Sequence, residues 1–202
     1  MTVTFPLTPP TTPKPTRVTW SEINLIGSAV SQFTLIRQVY DWAGGSWRVD
    51  VEFDPLERVD AAPWIAFLSS LRGGYGTFYF GSTLCASPLG TGAGSPKVNA
   101  ASQTGFTLVT DGWTASSAVL KAGDFISIDY CLYRNEKDVS ADGSGNATLD
   151  IWPALRGHAD NATITVTNPV GTFRLAENSN VIQDESRDAL YNVSFSAIEA
   201  IS

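Results

Sequence analysis

The stretch Trp47-Arg48-Val49-Asp50-Val51-Glu52-Phe53-Asp54 alternates without a break between apolar and charged side chains. Successive side chains of a β-strand point to opposite faces. This period of two therefore puts Trp47, Val49, Val51 and Phe53 on a buried face and the charges in water. Just before it, Asp41-Trp42-Ala43-Gly44-Gly45-Ser46 offers the positive-φ positions of a hairpin loop. Just after it comes one helix. Trp64, Phe67, Leu68 and Leu71 stand at i, i+3, i+4 and i+7, a single apolar stripe. Asp60 is placed to accept the orphan N–H groups at the start, and Pro63 is expected in the first turn, where a missing donor costs little. Arg72 falls near the negative end of the dipole, and Gly73 is expected to take the left-handed stop. The helix should lay its stripe on a sheet, and Gly76–Phe80 should return as a strand with Phe78 and Phe80 on one face.

Upstream, Val18–Ile26 and Phe33–Trp42 are β-prone. Residues 1–16 hold Pro6, Pro9, Pro10, Pro13 and Pro15, which fix φ and remove donors, so this arm is extended. It is either a loose tail or an arm lying on a neighbouring subunit. Downstream, residues 86–105 are rich in Ser, Pro, Gly, Ala, Thr and Asn and read as a linker, long loops or a sparse edge strand. Short β segments then recur at Phe106–Val109, Phe125–Cys131, Ala147–Ile151 and Ala162–Val166. Turn signals part them at 111–112, 122–124, 142–145 and 168–171. Such spacing suggests a small barrel or sandwich. Residues 189–201 alternate again, with Tyr191, Val193, Phe195 and Ala197 on one face. This last strand would complete the first sheet and leave residues 86–170 as an inserted domain between 17–85 and 171–202.

The 202 residues are 43% hydrophobic and only 16% charged, enough apolar material for a real core. Net charge is −7, and the 13 Lys and Arg are scattered, which argues against gripping nucleic-acid phosphates. No apolar run approaches the ~18 residues that span a bilayer. The start of the chain lacks the basic-then-apolar pattern of a signal peptide, so folding in the cytoplasm is expected.

Candidate chemistry is thin. His158 is the sole histidine, so no Ser-His-Asp or Cys-His pairing exists without it, and its turn-like context reads as a surface loop. One His with Cys85 and Cys131 is too few ligands for a transition metal, and the two cysteines read as small buried apolar residues. Asp138–Asn146 echoes a calcium loop, but Ser140 and Leu149 stand where carboxylates belong, and a Gly-rich hairpin turn explains the same residues. Gly73-Gly74-Tyr75-Gly76 follows a helix and precedes a strand, the reverse of a phosphate loop. Glu52 and Asp54 read as solvent-face charges, and 184–188 as a polar turn. No catalytic, metal or cofactor residue is assigned.

Several runs carry a resemblance. Val39–Trp47, Trp64–Gly73 and Gly76–Phe78, then Leu120–Asp124, Asp142–Gly145, Leu149–Arg156 and Thr172–Leu175, resemble the distal tail proteins of long-tailed bacteriophages over most of residues 17–200. The resemblance implies a tail-tube-like β-sandwich with one short helix, plus an inserted small β-barrel of oligosaccharide-binding or lectin-like shape. It implies a non-enzymatic virion protein forming a homohexameric ring at the tail tip. Its partners would be the tail-tube protein, the tip or baseplate hub and the tape-measure protein. DNA would pass through the lumen, and nothing would insert in a membrane.

Two other readings stand beside it. In a carbohydrate-binding module, Trp113, Tyr130, Tyr133 and Trp152 would be exposed to stack on sugars. A tail-tube or tail-terminator subunit would share the fold and differ in position.

Overall fold

The computed structural model describes residues 4–83, 85–178, 184–185 and 190–201. The chain is mainly β. In order it forms β1 (Arg17–Val30), β2 (Arg37–Glu52), helix α1 (Arg58–Ser70), β3 (Thr77–Phe80), β4 (Gly94–Val98), β5 (Thr107–Trp113), β6 (Ala118–Leu120) and β7 (Phe125–Ile128). Then follow β8 (Cys131–Asn135), β9 (Val139–Ser140), β10 (Ala147–Trp152), β11 (Ile164–Thr165), β12 (Gly171–Leu175), β13 (Asp184–Glu185), β14 (Tyr191–Asn192) and β15 (Ser194–Glu199). Two compact units result. One comprises Met1–Glu22, Trp47–Ser82 and Val170–Ser202, the other Ile23–Ser46 and Thr83–Pro169. The chain crosses between them at 22/23, 46/47, 82/83 and 169/170, so that 23–46 groups with the second unit.

The first unit is built on a five-stranded sheet in the order β1-β2-β15-β12-β3. The returning strand β15 pairs antiparallel with β2, Ser194 opposite Glu52 through Ile198 opposite Arg48, and β12 joins β15 to β3. Trp47, Val49, Val51 and Phe53 are buried, as are Trp64, Phe67, Leu68 and Leu71. Helix and sheet meet through rings. Trp64 lies 4.7 Å from Phe53 and stacks on Phe195 at 6.0 Å, while Phe67 meets Phe78 edge-on at 5.5 Å. Each such pair adds about 0.5–1.5 kcal/mol beyond the area it buries, which suits a unit with a modest aliphatic core.

The helix ends differ from the sequence expectation. The extended residue before α1 is Glu57, with no side-chain cap, and Asp60 lies inside the first turn, where its charge faces the positive dipole end. Pro63 falls a turn deeper, so the Val59 carbonyl loses its helical donor. The left-handed stop begins at Arg72 (φ 55°) and continues at Gly73 (φ 67°), and the Gly76 N–H closes on the Leu71 carbonyl at 2.8 Å. Arg72 therefore stands beyond the helix.

The described part of the arm is not loose: it is hydrogen-bonded within its own chain, in the first unit. Leu7 forms a parallel bridge with Phe78, donating to the Thr77 carbonyl (2.8 Å) and accepting from the Tyr79 N–H (2.9 Å). Trp64 Nε1 donates to the Pro13 carbonyl (3.1 Å), and Thr16 Oγ1 accepts from the Asp54 N–H (2.9 Å).

The second unit holds a six-stranded sheet in the order β11-β7-β8-β10-β5-β4. Its ends approach: Lys97 bridges Thr163, and the Val98 N–H donates to the Ala162 carbonyl at 3.0 Å, so the sheet nearly closes into a small barrel. Leu108, Ile126, Ile128, Leu149, Ile151 and Ile164 fill it. This near-closure shields part of the edges that β4 and β11 would otherwise expose.

Two turn signals in this unit carry other meanings. Asp111-Gly112 is no turn: β5 runs through it, and Gly112 (φ 76°) sits where the β4–β5 register shifts, a bulge. Conversely, Phe125–Cys131 is not one strand. Asp129 (φ 49°) and Tyr130 (φ 61°) form a two-residue hairpin turn between β7 and β8, with Ile128 opposite Cys131. The polar turn expected at 184–188 falls at 186–188 outside the described residues; Asp184 and Glu185 pair with β14.

Candidate assembly surface

The hairpin of β1 and β2 departs most from the sequence reading. The Asp41–Ser46 run is not its loop, because β2 passes straight through. The turn lies at Ser31–Ile36. Ser31 Oγ accepts from the Phe33 and Thr34 N–H groups (both 3.3 Å), the Ser31 carbonyl accepts from Leu35, and Leu35 takes φ 57°. Within β2, Asp41 Oδ1 accepts from the Ala43 N–H at 2.8 Å, and Ala43 takes φ 51°, a kink inside the strand. The glycines serve close approach instead of a turn. A Cβ on Gly44 would stand 3.1 Å from Leu25 Cβ, one on Gly27 2.9 Å from Trp42 Nε1, and one on Gly45 3.0 Å from Pro153 Cβ. Trp152 Nε1 donates to Asn24 Oδ1 (2.9 Å) and Arg156 to the Gly45 carbonyl (3.2 Å), tying the hairpin to the end of β10 and the segment after it.

What the hairpin presents outward is apolar. Phe33 is 97% exposed, Leu35 79%, Trp42 67%, Ile36 65% and Leu25 62%, with Ile23, Ile26, Val30, Val39 and Tyr40 exposed beside them. Leu25 and Ile26 are consecutive, as are Val39 and Tyr40, so both faces of the ribbon are apolar. Between Ile23 and Trp42 only Arg37 and Asp41 carry charge. Proteins guard sheet edges with charge, Pro or short strands, and β1, a 14-residue edge strand, has little of that protection. The signal was present in the sequence as apolar residues at both parities, which suits a ribbon covered on two sides.

The aromatic set proposed for sugar stacking is taken apart by burial. Trp113, Tyr133 and Trp152 lie inside, and Tyr130 alone of the four is exposed, at the β7–β8 tip. Trp113 Nε1 donates to Thr110 Oγ1 (2.7 Å), a partner that lets an indole live in the barrel.

His158 is likewise no surface residue. It is buried, with Nε2 2.8 Å from the Tyr133 hydroxyl and Nδ1 3.0 Å from Asp129 Oδ2. The Tyr133 hydroxyl also accepts from the Arg156 N–H at 3.3 Å. With Tyr133 fully enclosed, this chain of partners satisfies polar atoms that the barrel would otherwise strand, and it pins residues 156–158 to the β7–β8 turn. Sequence spacing could not reveal it, because its members come from two separate segments, 129–133 and 156–158.

The carboxylates of the calcium-like loop are occupied by the chain itself. Asp142 accepts from the Asn146 N–H (2.8 Å), the Asn146 amide (3.1 Å) and the Ser144 N–H (2.8 Å), which holds its carboxyl below the ordinary range. Asp138 is lowered by its hydrogen bond to Lys121 Nζ at 2.7 Å and by the Ala122 N–H. Lys137 is raised by Asp150, 2.6 Å away. Asp124, buried, binds the N–H groups of Leu89 (2.8 Å), Gly90 (3.2 Å) and Lys121 (2.8 Å) and so fastens the loop before β4. Glu52 pairs with Arg17 at 3.8 Å on the surface, and Asp54 is exposed. Cys85 and Cys131 form no disulfide, and both are half-buried where full burial was expected. Among the described residues no helix is long and apolar enough to cross a membrane. No protein-family model matches the chain, and no curated protein matches it.

Proposed function

We propose that this chain is a non-catalytic structural protein of a phage virion. About six copies form a ring at the distal end of the tail, joining the tail tube to the tip or baseplate hub and leaving a channel for DNA. The observation that supports this best is the β1–β2 hairpin, a long sheet-edge ribbon that is apolar on both faces and almost uncharged. A contiguous apolar surface of this kind calls for a partner. Neighbouring copies in a closed ring would cover both faces and pair the β1 edge. The tail-tube protein, the hub and the tape-measure protein are the further partners of this reading. The net charge of −7 suits a channel wall that repels DNA.

The test is negative-stain imaging of the protein driven to assemble at high concentration, with and without its first 12 residues. Closed rings of about six chains around an open centre support the proposal. Long tubes would make the chain a tail-tube subunit instead. A chain that stays single in both forms and is retained by a glycan array would make it a sugar-binding module.

A further inference from the structure

The two edges of the five-stranded sheet are treated differently. The β1 edge carries the apolar hairpin. The β3 edge is occupied by the chain's own arm, through the Leu7 N–H to Thr77 carbonyl and Tyr79 N–H to Leu7 carbonyl bonds. Phe5 packs edge-on to Tyr75 at 5.9 Å and fills the place a side chain on Gly76 would need, 2.5 Å from its Cβ position. Farther along, Pro13 and Thr16 fasten the arm to Trp64 and Asp54.

We propose that the arm is an assembly plug: it occupies the β3 edge until the β1 edge of a second copy displaces it. This rests on the ring reading above. The committed occupant is a second copy for three reasons. β1 and β3 are opposite edges of one sheet, so pairing them head to tail continues that sheet from copy to copy, the geometry that closes into a ring. The β1 hairpin brings apolar surface that the arm lacks, so exchange gains burial while the β3 backbone keeps its partners. The arm is also a weak plug by composition: Pro6, Pro9 and Pro10 flank Leu7 and have no N–H, so it cannot extend the ladder far on either side.

The competition is one of effective concentration. An arm tethered through Thr16, next to the start of β1, acts at an effective concentration of order millimolar. It therefore outcompetes free copies at micromolar concentration. Copies already held side by side on a growing tail match that concentration, and the hairpin then tips the exchange.

The experiment is sedimentation of the intact chain, a form lacking residues 1–12, and Leu7→Pro, which removes the donor to Thr77 while keeping the rest of the arm. Circular dichroism checks that each variant keeps its fold. Hydrogen exchange reads the Leu7 and Tyr79 amides. The expected result is a single-chain mass for the intact protein and at least a tenfold fall in the concentration at which either variant associates. Folded variants that stay single at every concentration at which the intact chain does would overturn the proposal. Rings of the intact chain with the Leu7 amide still protected would also overturn it and leave the ring reading standing. Arm-trimmed protein that forms no ring even at the highest concentration removes both.

Discussion

Replacing the hairpin tip separates assembly from folding. In the triple variant Phe33→Ser, Leu35→Asn, Ile36→Thr, the lost side chains are 97%, 79% and 65% exposed, so the single chain loses almost nothing. Surface changes of this kind stay within about 0.5 kcal/mol each. Asn at position 35 also accepts the left-handed backbone that Leu35 holds at φ 57°. In an assembly the same surface is buried. A fully buried Leu, Ile or Phe contributes about 1.5–3 kcal/mol, so about two and a half side chains' worth of exposed surface contributes about 4–7 kcal/mol per joint. At about 1.4 kcal/mol per tenfold, each joint should weaken by about three to five orders of magnitude. The assay is a dilution series by sedimentation in the arm-trimmed background, with calorimetry alongside. A melting temperature lowered by more than about 5 °C would show that the tip was core in the single chain. An unchanged association constant would show that the hairpin is not the joint.

Three further perturbations address the fold that carries the hairpin. Asp124→Asn turns a donor toward backbone N–H groups that now share a buried carboxylate. It should destabilise the barrel by about 1.5–3 kcal/mol in urea unfolding, and a neutral result would mean the loop before β4 is not held there. Trp64→Phe keeps the ring in the core but loses the bond to the Pro13 carbonyl. About 0.5–1.5 kcal/mol should be lost and the arm should exchange faster by hydrogen–deuterium labelling; unchanged arm protection contradicts this. Asp142 has its carboxyl lowered by the Asn146 and Ser144 donors, so its contribution is present above the unfolded-state value and disappears as pH falls through the folded one. Asp142→Ala should therefore flatten the loss of stability below about pH 4, and an acid limb identical to the parent's would remove this site from the account.

Local pattern alone determined much of this protein. The alternation at Trp47–Phe53 and the stripe at Trp64–Leu71 bury the side they predict, and the second alternation does so at Val193, Phe195 and Ala197 with Tyr191 half-buried, because the strand period of two and the helical i, i+3, i+4 spacing are properties of the backbone. The scattered short strands likewise suggested a small barrel or sandwich, and a nearly closed six-stranded sheet is what they form. Glycine was the ambiguous letter. Gly44 and Gly45 mark close approach inside β2 and Gly112 marks a bulge, while the β7–β8 turn is made by Asp129 and Tyr130 without a glycine. Which meaning applies depends on the strand or side chain that arrives from elsewhere in the chain. Tertiary structure alone decided that Trp113, Tyr133 and Trp152 belong to the interior, and that His158 is enclosed between Asp129 and Tyr133. An aromatic or polar side chain can lie inside or outside with the same local sequence, and its hydrogen-bond partners settle which. The same holds for the edges. Proline said that the arm is extended, but only the fold shows it lying along β3, and only burial shows that the apolar residues of the β1–β2 hairpin are exposed.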